Sequence, residues 1–259
     1  MARSGFEEHW RQRFVQRGRQ FDDDAGIAGW TSSGLDTRLR HFQRVWPGDA
    51  PGARWLDAGC GAGSYTRYLA SREINTLGLD YSLPSVQKAR ARSAETIRWL
   101  VGDATKLPIR PGSLDGIMCL GVLQALSAPE PALTELMAAT RPGGQVWVDA
   151  LNRRSLATVL KRLRARLGGP PLNLRYDDPE HLRRILLAQG AESVQVYWVP
   201  ILPGRLQRLQ PWIESRPMRW LLQRLPWLAS PLSHAFLVAA RKEYLSANPL
   251  LMQTSCKSP

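Results

Sequence analysis

The stretch LDAGCGAG, residues 56–63, decides the fold. It lies between a short apolar run at 54–57 and residues 64–71, whose pattern is typical of a helix, so it predicts a strand, a tight turn and a helix in succession. Glycines permit such a turn and let a ligand approach the backbone closely. The N-terminus of the following helix offers free N–H groups and a partial positive charge, which suit a phosphate or a carboxylate equally.

Two details of this turn narrow the choice of ligand. The glycines follow the spacing Gly59-x-Gly61-x-Gly63, not the Gly-x-Gly-x-x-Gly of dinucleotide sites. Asp57 ends the strand just before them, and a fixed carboxylate there would repel a pyrophosphate. The same carboxylate can bind an ammonium group, directly or through water. The turn therefore indicates a nucleoside that carries an amino-acid tail.

Two further acids follow the next predicted strands. Asp80, in GLDYS, ends the second strand, where an acid can accept both hydroxyls of a ribose. Asp103, in VGDA, closes the third strand, where the amino group of an adenine would arrive. All three acids fall at carboxyl ends of strands, which is where open α/β sheets bind ligands.

Strands and helices alternate from residue 53 onward, which predicts a parallel sheet covered on both sides. We predict strands at 54–57, 76–79, 97–101, 114–120, 145–150, 193–200 and 235–240. The helices are predicted at 64–71, 84–94, 131–140 and 178–189, with residues 142–144 as a turn and Leu83 and Val86 facing inward. A turn-rich break is predicted at 22–29.

These stretches together resemble the class I S-adenosylmethionine-dependent methyltransferase family. LDAGCGAG, GLDYS, GDATKLP, LDGIMCLGVLQAL and RPGGQVWV occur in the order and approximate spacing of that family, across residues 55–151. YDDPEHLRRILLAQGAESVQVY and HAFLVAARK extend the resemblance more weakly. It implies an α/β, Rossmann-like class I methyltransferase fold, with a mostly parallel seven-stranded sheet, one antiparallel strand and helices on both faces. The implied cofactor is S-adenosyl-L-methionine, with S-adenosyl-L-homocysteine as the product.

The resemblance also implies which residues bind the cofactor. Asp57, Gly59 and Gly61 would line its amino-acid end, and Asp80 would hold the ribose. The full predicted set also covers the adenine and methionine ends and comprises Asp57, Ala58, Gly59, Cys60, Gly61, Gly63, Asp80, Tyr81, Asp103, Ala104, Leu120 and Gly121. No metal site is predicted, because Cys60, Cys119 and Cys256 are too scattered for zinc or for a disulfide framework.

The chain departs from the family's small-molecule members at one position. Gln124 stands where many of them have a histidine, so no general base is expected there. The Asn/Asp-Pro-Pro-aromatic motif of amino-group methylation on nucleic acid bases is also absent from the sequence. The weak candidates for a catalytic base are Tyr176 and Asp177 on a loop and His181 on the next helix, although Asp177 also suits a helix cap.

The net positive charge is distributed unevenly along the chain. Of the net charge of +13, residues 1–150 carry 18 Lys and Arg against 16 Asp and Glu, whereas residues 151–259 carry 17 against 6.

We predict a methyltransferase domain over 51–259 with a helical lid at 1–50, in which Trp10 and Phe21 either cover the cofactor or pack on the sheet. Residues 152–175 and 201–232 are predicted to be helical cap insertions.

Apolar residues are interleaved with arginine in both predicted insertions, and the second insertion also contains tryptophan. In 154–167 the apolar residues Leu156, Val159, Leu160, Leu163 and Leu167 share one helical face. This pattern suits a cap that roofs the substrate pocket, an anionic membrane interface, or, less favoured, a surface for RNA.

The sequence thus predicts an S-adenosylmethionine-dependent methyltransferase that acts on a small or lipid-like molecule, by direct displacement onto oxygen or carbon. An RNA or protein methyltransferase that uses the basic C-terminal surface is the first alternative. A non-catalytic cofactor-binding scaffold is the second. We expect a cytoplasmic protein, with or without peripheral contact with an anionic membrane.

Overall fold

Seven strands form one sheet in the computed structural model, which describes residues 4–202 and 204–244. The strands are β1 (Arg54–Ala58), β2 (Asn75–Asp80), β3 (Arg98–Val101), β4 (Leu114–Cys119), β5 (Thr140–Leu151), β6 (Ala191–Val199) and β7 (Ala235–Lys242). Their spatial order is β3-β2-β1-β4-β5-β7-β6. β7 is antiparallel to both of its neighbours, and the other pairings are parallel. The predicted fold class, including the single antiparallel strand, is confirmed.

Helices precede, separate and follow these strands. They are α1 (Gly5–Gln20), α2 (Asp24–Ala28), α3 (Ser32–Val45), α4 (Ser64–Ala70), α5 (Leu83–Ala91), α6 (Glu130–Ala139), α7 (Leu156–Arg166), α8 (Pro179–Ala188), α9 (Gln210–Ile213), α10 (Arg216–Arg224) and α11 (Pro226–Leu232). Short 3-10 helices occupy Leu123–Ala125 and Gly204–Leu209. The first three helices each begin at a side-chain cap, at Ser4, Asp23 and Thr31.

The sheet separates two hydrophobic clusters. Successive residues of a strand point to opposite faces, and in β5 Val146 and Val148 join one cluster whereas Trp147 joins the other. α6 and α8 cover the first face, and α3 and α4 cover the second, where Phe42 and Tyr65 are buried. Helices therefore lie on both faces of the sheet, and the N-terminal α3 is part of the core.

Three local predictions were wrong. Residues 142–144 belong to β5 instead of forming a turn, because the strand continues through an irregularity at which its pairing with β4 shifts register. The predicted break near residues 22–29 contains the short helix α2. Leu83, the first residue of α5, is 52% exposed, whereas Val86 is buried as expected.

The predicted lid, 1–50, contains α1 to α3, and the two predicted insertions contain α7 and α9 to α11. Cys60 and Cys119 are buried and free, while Cys256 lies outside the described residues. Across residues 4–202 and 204–244, none of the helices combines the length and apolar composition needed to span a membrane.

Candidate active site

A cleft of about 1130 Å³, open to solvent at its mouth, lies at the carboxyl ends of β1, β2 and β4. It collects nine of the twelve residues predicted to bind the cofactor, namely Gly59, Cys60, Gly61, Asp80, Tyr81, Asp103, Ala104, Leu120 and Gly121. The other three, Asp57, Ala58 and Gly63, are not part of its lining. Residues far apart in sequence thus meet at one edge of the sheet, as open α/β folds require.

Backbone hydrogen bonds hold the glycine turn against the end of β2. Gly59 N and Cys60 N both donate to the carbonyl oxygen of Leu79, at 2.6 and 3.0 Å. Gly61 N donates to Oδ2 of Asp80 at 2.9 Å, and Ser82 N donates to Oδ1 of Asp80 at 2.8 Å. The Asp80 carboxylate is therefore fixed between two turns at the wall of the cleft. Burial raises its pKa, and the two backbone N–H groups oppose that rise.

Gly59 has no space for a side chain. Its φ is 84°, and a Cβ atom at this position would lie 2.1 Å from Cγ2 of Val122, which follows β4. The glycine lets the turn pass directly over this residue, so the spacing of the motif is imposed by packing as well as by backbone conformation.

We expect Gly59→Ala to destabilise the chain by about 2–5 kcal/mol, because a left-handed non-glycine residue costs roughly 1–2 kcal/mol and overpacking about 1–3 kcal/mol. Urea unfolding measures this loss. Adding Val122→Ala removes the clash, so the double variant should regain the overpacking part and retain the backbone part. A double variant no more stable than Gly59→Ala would contradict the role assigned to Val122.

Asp57 lies in the protein interior, only 2% exposed, and Thr66 Oγ1 donates to its Oδ2 at 2.6 Å. Burial, reinforced by the negative charge of Asp80, raises the pKa of Asp57 to about 7. The sequence predicts that Asp57 binds the ammonium group of the ligand either directly or through water. Because Asp57 does not line the cleft, only the contact through water is compatible with its position.

The raised pKa of Asp57 predicts a pH-dependent stability. The folded chain holds the Asp57 proton more tightly than the unfolded chain, whose carboxyl has the ordinary value of 3.8, so stability falls as pH rises from about 4 to about 7. Asp57→Asn removes this titration. As the pH increases from 5 to 8, the unfolding midpoint of the unchanged chain should therefore fall relative to that of the variant. A difference in unfolding midpoint that does not change with pH would contradict the raised pKa of Asp57. Asp36→Asn, which removes an exposed carboxylate, is the matched control.

The N-terminal helices supply the other wall of the cleft. Trp10 and Phe14 of α1 and Trp30, between α2 and α3, line it. The Trp10 indole donates to the carbonyl oxygen of Asn173 at 2.9 Å. Phe21, which was also considered for the lid, is 36% exposed and is not among the lining residues.

Asp24 fastens this N-terminal wall to the domain. Its carboxylate pairs with Arg67, accepts a hydrogen bond from Ser64 Oγ, and lies 3.3 Å from Nη1 of Arg92. Ser64 and Arg67 belong to α4, the helix that follows the glycine turn, and Arg92 caps α5. α2 is therefore bound to the two helices that flank the predicted cofactor site.

A buried ion pair that the sequence did not reveal supports the far end of the cleft. Arg38 Nη1 lies 2.8 Å from Oδ2 of Asp149, and both side chains are less than 10% exposed. Gly121 N donates to the other Asp149 oxygen at 2.5 Å, and the Arg38 guanidinium lies 4.4 Å from the centre of the Trp30 ring. Asp149 lies near the carboxyl end of β5, so the rule that identified the other acids could have found it, but its partner is 111 residues away.

The weak candidates for a base do not line the cleft. Asp177 is buried and paired with Arg175, at 2.6 Å, because the 175–177 segment runs beside the end of β5. Tyr176 packs into the second core cluster, and His181 lies 3.6 Å from Glu130. Gln124 is buried and also absent from the lining.

Neither predicted cap roofs the cleft. Residues 152–175 and 201–232 contribute none of its described lining residues. Their contribution is indirect, through the Asn173 carbonyl that holds Trp10. Of the elements predicted to cover the cleft, only the N-terminal helices contribute described lining residues.

Residues 56–148 match the family model described as a methyltransferase domain. Together with the confirmed fold, this match makes the segment a class I S-adenosylmethionine-dependent methyltransferase domain, as predicted. The cofactor of that family is S-adenosyl-L-methionine, as predicted.

Known relatives carry several activities. The chain is 33% identical over 117 residues to demethylmenaquinone methyltransferase of Renibacterium salmoninarum, covering 45% of this chain and 49% of that protein. It is 28% identical over 208 residues to malonyl-[acyl-carrier protein] O-methyltransferase of Pseudescherichia vulneris, covering 70% and 82%. It is 37% identical over 125 residues to probable tRNA methyltransferase 9B of Mus musculus, covering 45% and 26%. The chain thus spans about half the length of the first of these relatives and about a quarter of the last.

Among solved structures, phosphoethanolamine N-methyltransferase 2 of Haemonchus contortus in complex with S-adenosyl-L-methionine superposes with a TM-score of 0.63. The sequence identity is 18%, and the match covers 90% of this chain and 60% of that one. At this identity the likeness shows a shared fold.

Proposed function

We propose that this chain transfers a methyl group from S-adenosylmethionine to a small or lipid-like acceptor, on oxygen or carbon. The observation that carries the proposal is the cleft that brings the glycine turn and Asp80 together with aromatic walls from the N-terminal helices. The named relatives that act on a quinone precursor and on an acyl-carrier-bound substrate support this acceptor class.

The residues of the cleft fit the proposed cofactor. Gly61 carries no side chain, and a Cβ atom there would meet nothing within 4 Å, so the turn leaves room for a ligand. Asp80 presents a carboxylate at the predicted ribose position. Asp103 Oδ1 accepts hydrogen bonds from Thr105 N and Oγ1, at 2.9 and 2.8 Å, which orient it at the predicted adenine end.

The bound cofactor supplies a methyl group that is already electrophilic. The chain then has to align the acceptor and exclude water. Trp10, Phe14 and Trp30 give that part of the cleft an apolar, aromatic wall. Tyr65 adds a hydroxyl whose pKa burial raises, so it stays protonated and can donate a hydrogen bond but not remove a proton.

The carboxylates of the cleft are poorly suited to act as a general base. Glu7 Oε1 accepts from Ser127 N at 3.0 Å, and Asp24 and Asp80 are bound as described above. Cys60 is also unsuited to be a nucleophile, because burial raises the pKa of its thiol. An acceptor that is already ionised near neutral pH, such as a carboxylate or an acidic enol, needs no base from the protein and fits this arrangement best.

A methyl-transfer assay tests the proposal. The full chain is incubated with methyl-labelled S-adenosylmethionine and a cell extract, which is then separated into lipid and small-molecule, RNA and protein fractions. Label in the lipid and small-molecule fraction is the expected result, and a variant that does not bind the cofactor provides the blank.

Two other results would replace the proposal. Label confined to RNA or protein would favour the alternative suggested by the basic C-terminal part and by the tRNA-related relative. Tight binding of S-adenosylhomocysteine without transfer to any fraction would favour a cofactor-binding scaffold.

A further inference from the structure

α7 exposes its apolar side chains to solvent. Leu156, Val159, Leu160, Leu163 and Leu167, the last just beyond its end, are between 49% and 79% exposed. In contrast, Thr158 is the buried residue of this helix, and its hydroxyl lies 2.8 Å from that of Ser155. We refer to the five apolar residues as the α7 stripe.

Helical geometry shows that the α7 stripe points away from the protein. At about 100° of rotation per residue, its five positions fall within an arc of about 100°, and Thr158 lies roughly opposite the middle of that arc. A helix of this length usually owes its stability to packing of its apolar face. Here that face has no partner within the described residues, so it is suited to an apolar phase outside the chain.

Positive charge surrounds the α7 stripe. Lys161, Arg162, Arg164 and Arg166 lie on α7, which contains no acidic residue. By the same rotation, Arg164 and Arg166 flank the stripe on its two sides. An apolar face bordered by cations is the pattern of helices that lie in the surface of an anionic bilayer.

The neighbouring helix α11 adds an exposed tryptophan. α11 packs beside α7, and its Trp227 is 72% exposed. Trp227 borders a groove together with Arg154, which precedes α7. Tryptophan favours the headgroup level of a membrane, where its ring is partly in the apolar region and its N–H meets polar groups.

We propose that the α7 stripe, together with Trp227 and the arginines around it, docks this chain on the surface of an anionic lipid bilayer. A second copy of the chain is a poorer occupant, because pairing two stripes would bring two sets of flanking arginines together. Nucleic acid would use the arginines but leave the leucines exposed. The inference goes beyond the proposed function and holds whether or not the methyl acceptor is a lipid.

Vesicle sedimentation tests the docking directly. The full chain is mixed with vesicles of phosphatidylcholine and phosphatidylglycerol in a 3:1 ratio, and with vesicles of phosphatidylcholine alone. We expect strong binding to the anionic vesicles only. Leu160→Glu with Leu163→Glu should weaken it at least tenfold, because it places two carboxylates in the stripe. Arg164→Gln with Arg166→Gln should weaken it about 30-fold, at about 1 kcal/mol per arginine.

Leu83→Glu is the matched control, because Leu83 is 52% exposed, close to the 54% and 51% of Leu160 and Leu163, but lies at the start of α5. An acid in the first turn of a helix is tolerated, so this variant should bind vesicles like the unchanged chain. Calorimetric binding of S-adenosylhomocysteine by the Leu160/Leu163 variant shows that it is folded and separates docking from the cofactor site.

Three results would overturn the docking. They are no binding of the unchanged chain to anionic vesicles, equal binding by the Leu160/Leu163 variant, and equal weakening by Leu83→Glu. Concentration-dependent dimers that disappear in the Leu160/Leu163 variant, without vesicle binding, would assign the surface to a second copy of the chain.

Discussion

Asp80→Asn should weaken the binding of S-adenosylhomocysteine by about 10²–10⁴-fold. Each hydrogen bond to a charged group contributes about 1.5–3 kcal/mol, and the proposed ribose contact has two of them, so the expected loss is roughly 3–6 kcal/mol. The amide of the variant also creates an unfavourable contact with a backbone N–H group. The two carboxylate oxygens accept from Gly61 N and Ser82 N, so an amide NH₂ has to face one of these donors. Isothermal titration calorimetry measures the loss.

Thermal unfolding distinguishes lost binding from lost folding in Asp80→Asn. Burial raises the pKa of Asp80, so the native chain gains little stability from its charge. We therefore expect the unfolding midpoint of the unliganded variant to lie within about 5 °C of the unchanged chain. Asp36→Asn, on the exposed side of α3, removes the same charge and should bind normally. A folded Asp80→Asn protein that binds within threefold of the unchanged chain would refute the ribose assignment.

The part of the site that sequence alone predicted is the part encoded locally. The glycine turn and the ends of β2 and β3 are specified by short patterns, and the parallel topology brings those ends to one edge of the sheet. The sequence alone therefore predicts that Asp80 and Asp103 lie in one cleft. Asp57 shows the limit of this reasoning, because position at a strand end does not tell whether a side chain faces the ligand or the core.

The sequence predicted a lid at 1–50, but the contacts that hold this wall of the cleft could not be predicted in the same way, because they depend on long-range docking. Trp10 contacts Asn173, 163 residues away in the chain. Helical periodicity correctly grouped the α7 stripe on one face, but periodicity does not say whether that face meets the protein or the solvent. For the same reason, the sequence did not decide whether residues 152–175 and 201–232 roof the cleft or face outward. Of the predicted lid and the two predicted caps, only the lid contributes described residues to the cleft lining.

Removing Arg38 should cost more stability than any surface change. Arg38→Met leaves the Asp149 carboxylate buried without its partner, and breaking one side of a buried pair costs about 3–5 kcal/mol. Asp149→Asn retains an oxygen that can accept from Gly121 N but leaves Arg38 unpaired. The double variant has no buried charge, so it should be more stable than the sum of the two single losses predicts, by about 2–3 kcal/mol. Urea unfolding at pH 7 measures all three variants.

The pH dependence of Arg38→Met distinguishes an electrostatic cause from a packing defect. Burial raises the pKa of Asp149, and Arg38 opposes that rise, so without Arg38 the folded chain should bind the Asp149 proton more tightly still. The variant should then recover stability as pH falls and the carboxyl takes up its proton, and lose it as pH rises. Arg54→Met, which affects a partly exposed pair with Asp115 at 3.5 Å, should cost only about 0–1 kcal/mol. A loss in Arg38→Met that is the same at pH 5 and pH 8 would mean that the side chain acts by filling space under Trp30, and the double variant would then show no recovery.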